Sequence, residues 1–169
     1  IQYFMIYFFS KMYSIKIDPK YNKYQNPKIG LIALASDYMI EKDFINVIKD
    51  KKIDFFVNRI ECFNPLTSEN LIKMSEKITE VTKDILPNEK IDCVVYGCTS
   101  GTIAAGYQSI EKKIKKAKPE AEVTTPSTAS VKALKKLKLN KIAIFTPYPK
   151  KLNDEVIDFF EKENFQITS

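Results

Sequence analysis

The stretch Ile91-Asp-Cys-Val-Val-Tyr-Gly-Cys-Thr-Ser-Gly-Thr102 decides how this chain is read. Cys93–Tyr96 is a short apolar run of the kind buried on both faces of a parallel sheet. Gly97 ends the run, Cys98 presents a thiol, and Thr99-Ser100-Gly101 leads into a helix. Such a strand-to-helix corner binds anions, because first-turn amides lack internal partners and the helix dipole is positive there. The same field favours thiolate, and a cysteine at a helix N-terminus can fall from about 8.5 to roughly 3.5–7.5 in pKa. The corner thus sets a reactive sulfur beside a carboxylate cradle. The competing reading is a small buried cysteine in a tight turn.

Outward from this corner, short apolar runs alternate with amphipathic ones. Toward the N-terminus, Ile29–Ala35 reads as a strand ending at Ser36-Asp37, followed by a helix over about Met39–Lys49. Ile53–Ile60 is a second strand, with Arg59–Pro65 as its exit. Thr67 or Ser68 caps the next helix, in which Leu71, Met74, Ile78, Val81 and Ile85 form the buried stripe and Pro87 the stop. Toward the C-terminus, Ile103, Tyr107, Ile110 and Ile114 share one helical face. A strand over Glu122–Thr124 runs into Thr125-Pro-Ser-Thr128 and a helix with Val131, Leu134 and Leu137 inward. Lys141–Phe145 is a further strand, exiting at Thr146-Pro-Tyr148 into a helix over about Leu152–Glu163. Phe165–Thr168 begins one more strand. Ending there suggests a fragment.

This alternation predicts an α/β fold, a doubly wound parallel sheet with helices on both faces. Ligands of such sheets bind beyond the carboxyl ends of the strands. Those ends carry Ser36 and Asp37; Cys98, Thr99 and Ser100; Thr125, Ser127 and Thr128; and Thr146 and Tyr148. Hydroxyls with one thiol and one carboxylate on a common rim suit a small carboxylate ligand. Gly97-x-x-x-Gly101 lacks the spacing and lysine of a phosphate loop, so nucleotide binding is disfavoured.

Composition narrows the chemistry. The 169 residues include no histidine, which excludes Ser-His-Asp and Cys-His catalysis and His-ligated zinc from these residues. Three cysteines without paired spacing imply free thiols in a reducing compartment, with Cys62 and Cys93 as inert core. The net charge of +6 invites a nucleic-acid reading, but Arg59 is the sole arginine and the lysines fall on helix faces. A solvated face explains them better, and no nucleic acid is expected. Residues 1–11 are aromatic and aperiodic, too short to span a bilayer and without the features of a signal peptide. Met12 is a plausible start, the alternative being an N-terminal strand or interfacial anchor. Residues 1–27 are expected to be an arm or upstream read-through.

Five spaced motifs carry a resemblance: Gly30–Asp37, Phe63–Leu71, Tyr96–Thr102, Thr125–Thr128 and Thr146–Tyr148. From about Lys28 onward the chain resembles the maleate cis–trans isomerase and arylmalonate decarboxylase group of the aspartate/glutamate racemase superfamily. Its likeness to the ectoine-utilisation protein A branch is greatest. The resemblance implies two similar α/β lobes with the site between them, one catalytic cysteine on each lobe, and no metal or organic cofactor. By that implication residues 28–120 form the first lobe and 121–169 the opening part of a truncated second one, with the second cysteine beyond Ser169.

Residue by residue, Cys98 falls on the first-lobe catalytic cysteine, and Thr99, Ser100 and Tyr148 on positions that hold a substrate carboxylate. Ser36 and Asp37 fall at the first strand end, where a polar residue assists the substrate or the cysteine; Asp37 reads equally as a helix cap. Arg59 could pair a second substrate carboxylate. The resemblance implies an isomerase or racemase of a small (di)carboxylic or amino acid working through cysteine thiolate. Because arylmalonate decarboxylases have glycine where Cys98 stands, the decarboxylase alternative is weaker; a non-catalytic carboxylate-binding lobe is the other. A cytoplasmic protein with neither membrane nor nucleic-acid partner, and with a homo-oligomer as one option, completes the expectation.

Overall fold

The computed structural model describes residues 17–19 and 26–169, so the expected arm over 1–27 lies largely outside the described residues. Four parallel strands form the main sheet: β1 (Lys28–Leu34), β2 (Asp54–Ile60), β3 (Cys93–Tyr96) and β4 (Glu122–Thr124), in the order β2-β1-β3-β4. β1 is central, with Leu31 opposite Val57 on one side and Val95 on the other. A strand flanked on both edges and both faces must be apolar throughout, which is why Gly30–Ala33 is buried without alternation. Leu31 and Ile32 are fully buried, and each such side chain contributes about 1.5–3 kcal/mol.

Helices cover both faces. On one, Leu31, Ala33 and Val95 pack against Ile40 and Phe44 of α1 (Ile40–Ile48). On the other, Ile32, Val94 and Tyr96 meet α2 (Ser68–Ser75), α3 (Ile78–Lys83) and α5 (Tyr107–Ala117) through Leu71, Met74, Ile78, Ile110 and Ile114. The doubly wound parallel sheet expected from the alternation is thus present.

Two expected helices are each split. The stripe from Leu71 to Ile85 breaks between α2 and α3, where the Ser75 hydroxyl bonds the Ile72 carbonyl and the Glu76 and Lys77 amides reach back only three residues. The helix after Cys98 breaks into α4 (Thr99–Ala105) and α5 at Gly106, whose φ of 79° and ψ of 135° lie outside the helical region.

A separate two-stranded parallel sheet pairs β5 (Lys141–Ile142) with β6 (Gln166–Ile167). The strand expected to run to Phe145 stops at Ile142, and Phe145 is wholly exposed. α6 (Pro126–Lys136) and α7 (Lys150–Lys162) supply Val131, Val156 and Phe160 to a second core with Phe165. Tyr148 packs against both cores, which places it between the main sheet and this second unit.

Candidate active site

In the order β2-β1-β3-β4, the chain leaves β1 toward β2 on one side and takes up β3 on the other. The crevice above the carboxyl ends of β1 and β3 is therefore the switch point where open α/β sheets bind ligands. A cleft of about 420 Å³ lies there, lined by Ser36, Asp37, Cys98, Thr99, Ser100 and Tyr148 together with Cys62, Asn64 and Asn70. Its remaining wall is apolar, from Leu34, Phe63, Leu66, Leu71 and Met74. Larger openings of about 610 and 770 Å³ sit at the amino ends of the strands, beside Ile91 and Ala121 or Lys28 and Asp54, and no thiol lines them. The six side chains expected at the site from sequence are all brought to the one cleft.

Cys98 is the residue before α4, and its extended backbone (φ −130°, ψ 111°) turns the side chain back over the first turn. There Sγ accepts the Gly101 amide at 3.2 Å, with Ser100 Oγ at 3.9 Å. The Thr102 hydroxyl, also buried, donates to the Cys98 carbonyl at 2.7 Å and fixes the corner. Cys98 as a whole is only 3% exposed. Burial raises its pKa above the ordinary thiol value, while the Gly101 amide and the Ser100 and Tyr96 hydroxyls pull it back. The expected lowering by the helix N-terminus is thus outweighed by desolvation, which favours the neutral thiol.

Tyr96, the last residue of β3, lies directly beneath this corner. Its hydroxyl is buried and makes no well-formed hydrogen bond among the described residues. Leaving a buried hydroxyl unmet costs about 1–3 kcal/mol.

The neighbouring residues divide by role. Asp37 Oδ1 accepts the Met39 and Ile40 amides at 2.8 and 2.9 Å, so the carboxylate caps the start of α1 while standing at the cleft edge. Arg59 does not face the cleft. Its guanidinium donates to the Leu34, Ala35 and Asp37 carbonyls and pairs with Glu41 at 2.6 Å, tying down the β1–α1 loop. Thr125, Ser127 and Thr128 close a capping box at α6, also away from the cleft. Tyr148 is held by its amide bond to Thr146 Oγ1, which in turn donates to Asn153.

Cys62 departs from its expected place in the core. It is half-buried and lines the cleft, with Ser36 Oγ 3.6 Å from its sulfur. β2 and β3 lie on either side of β1, so their ends stand roughly 10 Å apart and their thiols look onto one space. Cys93 is half-buried among the residues that face α1, and burial pushes its thiol up. Asn64 and Asn70 were not singled out from sequence, although both fall in the family-like stretch Phe63–Leu71; the Asn70 amide is anchored on the Pro65 carbonyl at 2.8 Å.

No lysine or arginine is among the residues lining this cleft. A carboxylate there would meet hydroxyls, side-chain amides and the first amides of α4. Among the described residues, no cluster of three or more metal-ligating side chains occurs, and no helix is long and apolar enough to cross a membrane.

Comparison with known proteins gives the site its context. No protein-family model matches the chain. It is similar to a maleate isomerase of Pseudomonas putida, 26% identical over 153 residues, which cover 83% of this chain and 60% of that protein. The crystal structure of the maleate isomerase Iso from Pseudomonas putida S16 shares the fold, with a TM-score of 0.74 and 18% identity over 85% of this chain and 62% of that one. Unliganded arylmalonate decarboxylase does so with a TM-score of 0.64 and 20% identity, over 85% of this chain and 59% of that one. The chain thus spans about three fifths of the length of the proteins it matches. Sequence match and fold together support a likeness to the maleate isomerase and arylmalonate decarboxylase group of Asp/Glu racemase-like proteins.

Proposed function

We propose that this chain provides one thiol-bearing half of a cofactor-independent isomerase or racemase, acting at a carbon next to a carboxylate of a small acid. The observation that carries this is a buried cysteine facing a hydroxyl-rich cleft at the sheet's switch point. Thr99, Ser100 and Tyr148 hold the carboxylate, and their donors stabilise the charge that develops on it as the adjacent carbon reacts. Cys98 acts as thiolate. It either adds to a double bond, allowing rotation before it leaves again, or removes an α-proton. Cys62 joins the cleft from the same sheet as Cys98, so it does not stand across the substrate. The opposing thiol belongs to a second lobe. Ectoine-derived amino acids, maleate and aspartate are the candidate substrates, and a cytoplasmic enzyme able to form homo-oligomers is the setting.

The burial of Cys98, which favours its neutral thiol, supports a second reading, a lobe that binds small carboxylates without turning them over. One experiment separates the two. The complete gene product is incubated in deuterated buffer with maleate, aspartate and ectoine-derived amino acids, and vinyl and α-proton signals are followed by NMR beside Cys98→Ser. The proposal expects isomerisation or α-deuterium exchange, reduced about 10²–10⁴-fold in the variant. No turnover of any of these acids, with equal binding by both forms, would leave the binding lobe as the description.

A further inference from the structure

We propose that the Tyr96 hydroxyl is a positioning donor for Cys98, held beside Sγ and hydrogen-bonding the sulfur once the thiol gives up its proton. Tyr96 is the largest fully buried side chain described, and its Oη is a buried polar atom without a partner among the described residues. Buried hydroxyls are nearly always bonded, so an unmet one beside a reactive atom calls for a reason. Geometry supplies it at Gly101. A Cβ built there would lie 2.8 Å from Tyr96 Oη and 2.8 Å from Cys98 Sγ. The two atoms therefore converge over one bare α-carbon, in space that any other residue would fill.

The protonation states fit this arrangement. Burial pushes the Tyr96 hydroxyl well above the ordinary phenol range, so it stays an O–H donor wherever Cys98 titrates. A neutral thiol is a weak acceptor and a thiolate a strong one, so the bond gains its strength as the proton leaves. Sγ already takes the Gly101 amide, and Ser100 Oγ stands nearby; Tyr96 completes a set of three donors. The other titratable groups on the cleft are Cys62 after β2, Asp37 after β1 and Tyr148 before α7, while α2 brings only Asn70, Leu71 and Met74. A donor to the charged form lowers a pKa. Removing Tyr96 Oη must therefore raise that of Cys98.

This inference rests on Cys98 being the reacting thiol, but its test reads titration and not turnover. Iodoacetamide labelling is followed against pH by fragment-resolved mass spectrometry, so that Cys62, Cys93 and Cys98 report separately. In Tyr96→Phe the Cys98 midpoint is expected to rise by about one unit, tenfold less thiolate at a given pH, with the Cys62 profile unmoved. An unchanged Cys98 midpoint in a folded variant overturns the proposal. Should Tyr96→Phe not fold, 3-fluorotyrosine placed at 96 provides a more acidic donor. The Cys98 midpoint then falls if the proposal holds, and an unmoved midpoint refutes it. A protein that titrates as expected yet turns nothing over would lose the catalytic reading and keep this one.

Discussion

Asp37 shows how a single side chain can serve the scaffold at the edge of a site. One of its oxygens is committed to two backbone amides at the start of α1, and the residue's own carbonyl accepts from Arg59 at 2.6 Å. A capping role tolerates the isosteric amide, whose oxygen accepts equally well. Asp37→Asn is thus expected to change unfolding free energy by less than about 0.5 kcal/mol and Asp37→Ala to cost about 1 kcal/mol, both read from urea midpoints. If Asp37→Asn instead abolishes turnover at unaltered stability, the carboxylate works on the substrate. Cys62 is the complementary case. Its neighbours in sequence, an apolar strand and Phe63, make it look like core. Only the strand order, which sets the β2 end next to that of β1 and one strand away from that of β3, brings it to the cleft.

At the scale of elements, the strand-to-helix corner from Cys93 to Thr102 was legible because each local signal agreed: apolar strand, glycine stop, small polar turn. The breaks were not legible. Helical spacing runs through Gly106 without a fault, since Ile103, Tyr107, Ile110 and Ile114 keep their period in sequence whether or not the axis bends. What ends α4 is one backbone conformation, φ 79° with ψ 135°, that only glycine adopts freely. A Cβ at 106 would meet no atom within 4 Å, so the cost of Gly106→Ala is conformational alone. It should be about 1–3 kcal/mol, seen as a lower urea midpoint at constant m-value. A variant as stable as the parent would show that the break can be absorbed elsewhere. The split at Ser75 was hidden for a similar reason: its hydroxyl competes for a helix carbonyl, which periodicity does not register.

For the molecule as a whole, several groups bind their protons more tightly folded than unfolded. Burial raises Cys98, Cys93 and Tyr96 above their ordinary values. Each contributes stability that is complete below its unfolded pKa and is lost as pH rises past it, beginning near ~8.5 for the thiols. Lys118 works in the opposite sense, since burial lowers its amine while Glu89 opposes the shift. Melting temperature is expected to fall between pH 8 and pH 10, and to fall less in Cys98→Ala. A flat profile in the parent would contradict the burial of these groups.

The cleft without a cation has a consequence for how a ligand arrives. A full positive charge at a binding site draws anions in from a distance and makes capture slow down as salt is added. Oriented hydroxyls and amides act only within contact range. The net charge of +6 belongs to the chain as a whole, and no lysine or arginine lines the cleft to focus it there. If an anion is captured in this cleft, the part of that capture owed to the overall charge of the chain would slow as salt is added.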